Sequence, residues 1–371
     1  MSVVGQNVFF SLLRSGLWEQ PFLLPYSEDL DLDSIFRSAD KQSVVGLVAA
    51  GIEHVEGRKV TKQQALPFLK KVFALEGRNA EMNHFIANLF ARLREDGIHA
   101  LLVKGQGVAQ CYERPQWREA GDVDLLLDAE NYEKAKSNLI PIASHVEKEY
   151  KDRLHLGLKI DSWQIELHGS MRNYRLGRVN ACIDEAQDDT FQHGKVRIWM
   201  NGDSAVELPS ADNDVIFVFT HILQHFFEAG IGLRQICDWC RLLWTFREEI
   251  DQDLLVTRLK RARLLSEWEV LAALTVNYLG MPVEALPLYR KSASLDRKAN
   301  RLMEHILRTG NFGHNQDSRY IHKVPYLVRK LISFWKNTRN AFYRISIFPI
   351  DTVAFYARDV IYSLKAVGRG E

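Results

Sequence analysis

The spacing of apolar residues divides the chain into three stretches. Up to residue 96 they recur every three or four positions, as in Ser43 to His54 and Ala65 to Arg94, which is the period of amphipathic helices. Asp96-Gly97 ends the last of these helices, with Gly97 as its C-terminal cap. The period then changes. Ile98 to Val103 and Gly121 to Leu127 are short apolar runs of the kind buried strands show, Gln106 to Tyr112 reads as a short helix, and Ala129 to Leu139 as a helix capped by Asp128. Between His145 and Met200 the pattern predicts further strands, among them Leu154–Ile160, Ser162–Leu167 and Lys195–Met200. Pro209-Ser210-Ala211-Asp212 opens a second helical stretch running to about Arg308. Gly310 to Asn315 reads as a loop, and the remainder is again helical. The order predicts an α+β fold in four consecutive regions: helical 1–96, a mixed core 97–210, helical 211–310, and a basic, aromatic-rich helical segment 311–371.

One strand carries charges that a buried strand has no structural use for. In Gly121-Asp122-Val123-Asp124-Leu125-Leu126-Leu127 the two carboxylates project from one face, roughly 6.6 Å apart along the strand. Like charges at that separation repel, and burial raises the cost unless a cation neutralises them. Mg²⁺ suits the role, since it takes oxygen ligands and usually binds one or two carboxylates together with substrate phosphates; Mn²⁺ is the alternative. The outline is that of a phosphoryl-transfer site.

Neighbouring residues extend it. Lys104-Gly105 ends one strand and opens a helix, where backbone N–H groups can hold phosphate oxygens, Gly105 allows close approach, and Lys104 adds a positive charge. Alternation in Trp163-Gln164-Ile165-Glu166-Leu167-His168 puts Gln164, Glu166 and His168 on one face, making Glu166 a third carboxylate. Three carboxylates around two metals about 3.5–4 Å apart would activate an attacking oxygen and neutralise a departing pyrophosphate. Arg118, just before the Asp strand, is placed to pair with a phosphate. His168 is a substrate contact or a structural hydrogen-bonding group.

These motifs, Leu102-Val103-Lys104-Gly105, then Tyr112, Pro115 and Arg118, then Gly121-Asp122-Val123-Asp124, and later Glu166-Leu167-His168, resemble the uncharacterised bacterial nucleotidyltransferase-like proteins of the DNA polymerase β-type nucleotidyltransferase superfamily. The likeness spans about residues 40 to 245, and Asp238-Trp239 adds to it further on. It implies a nucleotidyltransferase-type mixed-sheet core with helical regions on both sides. It also implies divalent metal on Asp122, Asp124 and Glu166, and a nucleotide site lined by Lys104 and Gly105. The expected activity is transfer of a nucleoside monophosphate from an NTP to an unidentified acceptor hydroxyl or phosphate, in a polysaccharide or natural-product pathway. A non-catalytic nucleotide-binding protein, or a membrane-peripheral scaffold, on the same fold is the alternative. Where the wider superfamily has Gly or Ser after its turn glycine, this chain has Gln106.

Bulk composition narrows the partners. An apolar fraction of 46% supports sizeable cores. A net charge of +1, from 48 basic and 47 acidic residues, gives no sign of a specific nucleic-acid partner. The four cysteines imply no disulfide framework; Cys237 and Cys240 fall in a helical pattern and read as packed thiols of a reducing compartment. The N-terminus has no signal-peptide pattern and no run is long enough to span a membrane, so a cytoplasmic location is expected. His221 and His225, four apart on a helix, read as packing or acceptor-site polarity, and Arg234 and Asp238 as a helix-surface ion pair or as residues that close the acceptor side of the cleft. Residues 318–350 carry seven basic and no acidic residues among aromatics, a pattern for core packing or for peripheral contact with the inner face of an anionic membrane.

Overall fold

The computed structural model describes residues 3–24, 31–57, 60–172, 177–228, 230–310, 335 and 338–368. Most of the 318–350 segment therefore lies outside the described residues. No described helix is long and apolar enough to cross a membrane.

The architecture is α+β, as the apolar periods predict. The N-terminal stretch forms α1 (Val3–Trp18), α2 (Leu32–Lys41), α3 (Val45–Glu53) and the long α4 (Lys62–Glu95), with a small parallel pair β1 (Phe22–Leu23) and β2 (Val55–Glu56). Thr61 and Gln64 cap α4 reciprocally, satisfying N–H groups the first turn leaves open. At its other end Gly97, at φ +65°, donates to Arg94 O and Ile98 donates to Leu93 O, a Schellman ending. Because Ile98 closes that cap, the first strand of the main sheet starts later than predicted, at Leu101.

The main sheet has the order β3 (Leu101–Val103), β4 (Asp122–Leu126), β7 (Trp163–His168), β6 (His155–Ile160) and β5 (His145–Val146). β4 and β7 run parallel and all other neighbours antiparallel. A short helix α5 (Gly105–Ala109) follows β3, and α6 (Ala129–Leu139), capped by the Asp128 carboxylate accepting from Asn131 N, follows β4. Strand parity assigns the faces. Val123, Leu125, Leu156, Leu158, Ile165 and Leu167 pack on Met82, Ile86 and Phe90 of α4 and on Tyr132, Ala135 and Leu139 of α6. The residues between them point the other way.

Two elements depart from the sequence reading. The region expected to be strands contains a 16-residue helix, α7 (Gly177–Gln192). Its buried residues Val179, Cys182, Ile183, Ala186 and Thr190 keep helical spacing, but they are few and small, so their pattern is weak. A hairpin of β8 (Val196–Asn201) and β9 (Ser204–Pro209) then leads into α8 (Ala211–Glu228), β9 being a strand the sequence reading had not identified. Beyond it lie α9 (Leu233–Thr245), α10 (Gln252–Ala262), α11 (Leu265–Leu279), α12 (Ala293–Thr309), α13 over 338–345 and α14 (Pro349–Gly368). Apolar residues of α1, α3, α8, α9, α11 and α12 share one core, so the first and third stretches of the sequence pack together over the free face of the sheet.

Candidate active site

The polar face of the sheet is built by alternation and register. On β4 the face opposite α4 and α6 receives Asp122 and Asp124; on β7 it receives Gln164, Glu166 and His168. The β4–β7 register sets Asp124 beside Glu166 and Asp122 beside Gln164. β6 and β7 are joined by the two-residue loop Asp161-Ser162, with Asp161 at φ +53°, and this tight turn fixes every later pair of the hairpin. It brings His155 opposite His168, with ring centroids 4.8 Å apart.

The two aspartates on this face have different surroundings. Asp124 is buried, and its Oδ1 accepts from Lys104 Nζ and lies against His168 Nε2, both at 2.8 Å. Burial alone would raise its pKa, but the Lys104 charge and the His168 hydrogen bond outweigh it and hold Asp124 below the usual carboxylate range. The counter-charge expected from the sequence is thus supplied in part by Lys104. Asp122 is half-buried, and its side chain forms no ion pair or hydrogen bond among the described residues. Burial, together with the charges of Asp124 and Glu166, pushes its pKa up to about 6. A half-buried carboxylate without an ion-pair partner among the described residues, on one face with Asp124 and Glu166, fits an oxygen-liganded divalent ion. Glu166 Oε2 lies 3.3 Å from His155 Nε2 and 3.4 Å from His168 Nε2. Burial would raise Glu166 too, and these hydrogen bonds outweigh it and lower its pKa. His168 moves upward because hydrogen bonds to Asp124 and Glu166 outweigh the burial that would lower it.

Lys104 reaches Asp124 through an unusual backbone. It sits at φ +55°, ψ −142°, a region that costs a non-glycine residue of order 1–3 kcal/mol and that surrounding structure must enforce. Gly105 follows at φ +37°, and a Cβ there would stand 3.3 Å from Asp122 O, so the turn demands glycine. Gln106 is buried and donates to Asn79 Oδ1 at 2.8 Å, tying α5 to α4 rather than facing a ligand.

Helices α8 and α9 close the space above the sheet, leaving a cavity of about 250 Å³. Lys104, Gly105, Arg118, Asp122, Asp124, Glu166 and His168, all predicted from sequence, line it. Arg118 is oriented differently from the expectation. Its Nε and Nη2 donate to Asp238 Oδ1 and Oδ2, both at 2.7 Å, and Tyr112 OH donates to the same carboxylate at 2.8 Å. Arg118 and Asp238 are both buried, so this pair ties the loop before β4 to α9. Asp238, expected in a surface pair, is instead buried in this clamp. Arg234, also on the cavity wall, donates to Glu119 O at 2.7 Å. His221 and His225 face the cavity with Nε2 atoms 3.0 Å apart. Burial and the nearby Lys104 charge lower both, His225 to about 4. Both imidazoles are therefore neutral at physiological pH.

His155 was missed as a cavity residue, whereas Arg234 lines the cavity as the alternative reading of the Arg234 and Asp238 pair had it. The signal for His155 was present: counting back from the Asp161-Ser162 turn pairs it with His168. The four cysteines are buried and free, and burial raises the pKa of the Cys237 and Cys240 thiols.

No curated protein matches this chain. Among solved structures, an antigenic nucleotidyltransferase-like protein from Paracoccidioides brasiliensis is similar at 14% identity and a TM-score of 0.34, over 58% of this chain and 97% of that chain. The model of the family described as uncharacterised nucleotidyltransferase matches residues 28–280, a span that holds every cavity residue named above. The chain belongs to that uncharacterised nucleotidyltransferase family.

Proposed function

We propose that the chain catalyses Mg²⁺-dependent transfer of a nucleoside monophosphate from an NTP to an acceptor hydroxyl or phosphate, with pyrophosphate leaving. The observation that carries this reading is the alignment of Asp122, Asp124 and Glu166 on the parallel strands β4 and β7, facing one cavity beside Lys104. When bound, the divalent cation supplies charge neutralisation at the reacting phosphate and lowers the pKa of an attacking oxygen. Asp122, Asp124 and Glu166 are the residues that would hold it.

The remaining roles fall to the chain itself. Lys104 Nζ, held 2.8 Å from Asp124 Oδ1, offers a positive charge to phosphate oxygens on that side. His168 holds the Asp124 carboxylate in a fixed orientation through a 2.8 Å hydrogen bond, so the ligand atom need not reorganise. Arg118 and Asp238 fix the distance between the sheet and α9, hence the width of the cavity. Neutral His221 and His225, with Arg234, form the wall opposite the carboxylates, a polar surface suited to an acceptor.

Asp124→Asn keeps the shape of the side chain and removes its charge. It is expected to lower the rate of pyrophosphate release from the preferred NTP by roughly 10²–10³-fold, the cost of removing one preorganised electrostatic group, with an unchanged far-UV circular dichroism spectrum. Full activity in this variant would rule the carboxylate out as part of the reaction. NTP binding with no turnover in the wild type would instead identify a nucleotide-binding protein without catalysis.

A further inference from the structure

Nucleotidyl transfer on oxygen-bound Mg²⁺ gives no role to His155, yet His155, Glu166 and His168 form a compact set at the cavity wall. One ligand atom from each lies within 4.8 Å of the other two. His155 Nε2 and His168 Nε2 stand 3.3 and 3.4 Å from the same carboxylate oxygen, Glu166 Oε2. A four-coordinate ion with bonds of about 2.0–2.1 Å spaces its ligands about 3.3–3.4 Å apart, so two edges of the tetrahedron already have their length. Two imidazoles and one carboxylate are the donors that zinc-class ions favour, whereas Mg²⁺ prefers oxygen alone.

We propose that His155, Glu166 and His168 bind one divalent ion of the zinc or cobalt class, with its fourth position open to the cavity. The placement is built into the sheet. The Asp161-Ser162 turn pairs His155 with His168 across the β6–β7 hairpin, and strand alternation sets Glu166 on the same face. Three protein ligands and one open position is the arrangement of reactive rather than purely structural sites. Binding the ion replaces the His168 Nε2 hydrogen bond to Asp124 that the ion-free protein has and makes Glu166 a ligand of this ion, while Asp124 keeps Lys104 Nζ, at 2.8 Å, as its partner. The inference does not depend on the nucleotide reading, because the chain binds the ion unaided.

The full chain, stripped with a chelator and free of nucleotide, is titrated with Co²⁺ while its visible d–d absorption is followed, and bound metal is counted after gel filtration. One Co²⁺ per chain, with the strong band of a four-coordinate ion that excess Mg²⁺ does not remove, is expected. His155→Gln keeps a hydrogen-bond donor for Glu166 but is a poor ligand. It should weaken Co²⁺ binding by at least the roughly 10–100-fold lost when a mere supporting partner of a ligand is removed. A wild-type protein without that band, equal binding by wild type and His155→Gln, or displacement by Mg²⁺ would each overturn the proposal. An Mg²⁺-dependent NTP response in a protein with no such Co²⁺ site would overturn this inference while leaving the nucleotidyl-transfer reading in place.

Discussion

Asp122 and Asp124 are chemically the same and two residues apart, yet their neighbours drive their pKa values in opposite directions. Asp124 is in contact with Lys104 and His168; Asp122 touches neither, and burial together with the repulsion of Asp124 and Glu166 outweighs the more distant charges of Lys104 and Arg234. The sign of the effect on stability follows. Asp122 titrates near 6 in the fold against about 3.9 when unfolded, so its charged form is disfavoured by folding. The penalty grows as pH rises from about 4 to about 6 and is full above that. Asp122→Asn should therefore stabilise the protein at pH 7, by about 1–3 kcal/mol once partial exposure is allowed for, and make little difference near pH 3.5. Chemical denaturation of both proteins at the two pH values tests this; a destabilised variant at pH 7 would show that Asp122 has a partner in solution. Gaining stability by removing a charge is what a residue kept for function rather than folding should do. Period-two alternation exposed Asp122, Asp124 and Glu166 in the sequence, because their polarity contradicts an apolar run. The strained backbone of Lys104 leaves no such mark: nothing in Val103-Lys104-Gly105 says that the lysine, as well as the glycine, has positive φ.

At the scale of elements, helices with large apolar residues and clear caps were legible, α4 and α6 above all, while α7 was not. Its buried face is made of Val179, Cys182, Ile183, Ala186 and Thr190, and the acidic residues around them dilute the helical period. Pairings were legible only where a tight turn fixed them, as in β6 and β7. The clamp between the loop before β4 and α9 joins Arg118 to Asp238, 120 residues apart, and no local signal reports it. Its energetics can be measured. Removing one partner of a buried, doubly hydrogen-bonded pair leaves an uncompensated charge, so Arg118→Ala and Asp238→Ala should each cost about 3–5 kcal/mol. The double variant should cost less than the sum of the two, a coupling that a thermodynamic cycle from urea unfolding would reveal. Additive losses would mean the two groups do not act as a unit, and the clamp would no longer account for the width of the cavity.

Over the whole molecule, the sheet gives one face to α4 and α6 and the other to a helical core drawn from both ends of the chain. The candidate site lies where that second face meets α8 and α9, so carboxylates and Lys104 come from the sheet side while His221, His225 and Arg234 come from the helices. Sequence reading reached the first group through motifs within about 65 residues of one another. The second group it reached only as alternatives to packing and to a surface ion pair, because their place on the cavity wall depends on tertiary packing that apolar periodicity does not encode. The central claim is that these two halves enclose a nucleotide held through a divalent ion. Thermal unfolding of the wild type and of Asp122→Ala/Asp124→Ala, with each of the four NTPs and with or without Mg²⁺, tests it directly. Ligand at a hundredfold excess over its dissociation constant adds about 2.7 kcal/mol to the native state. An upward shift that requires Mg²⁺, favours one NTP and vanishes in the double variant is the predicted result. No shift with any NTP, or an equal shift in the variant, would contradict the account.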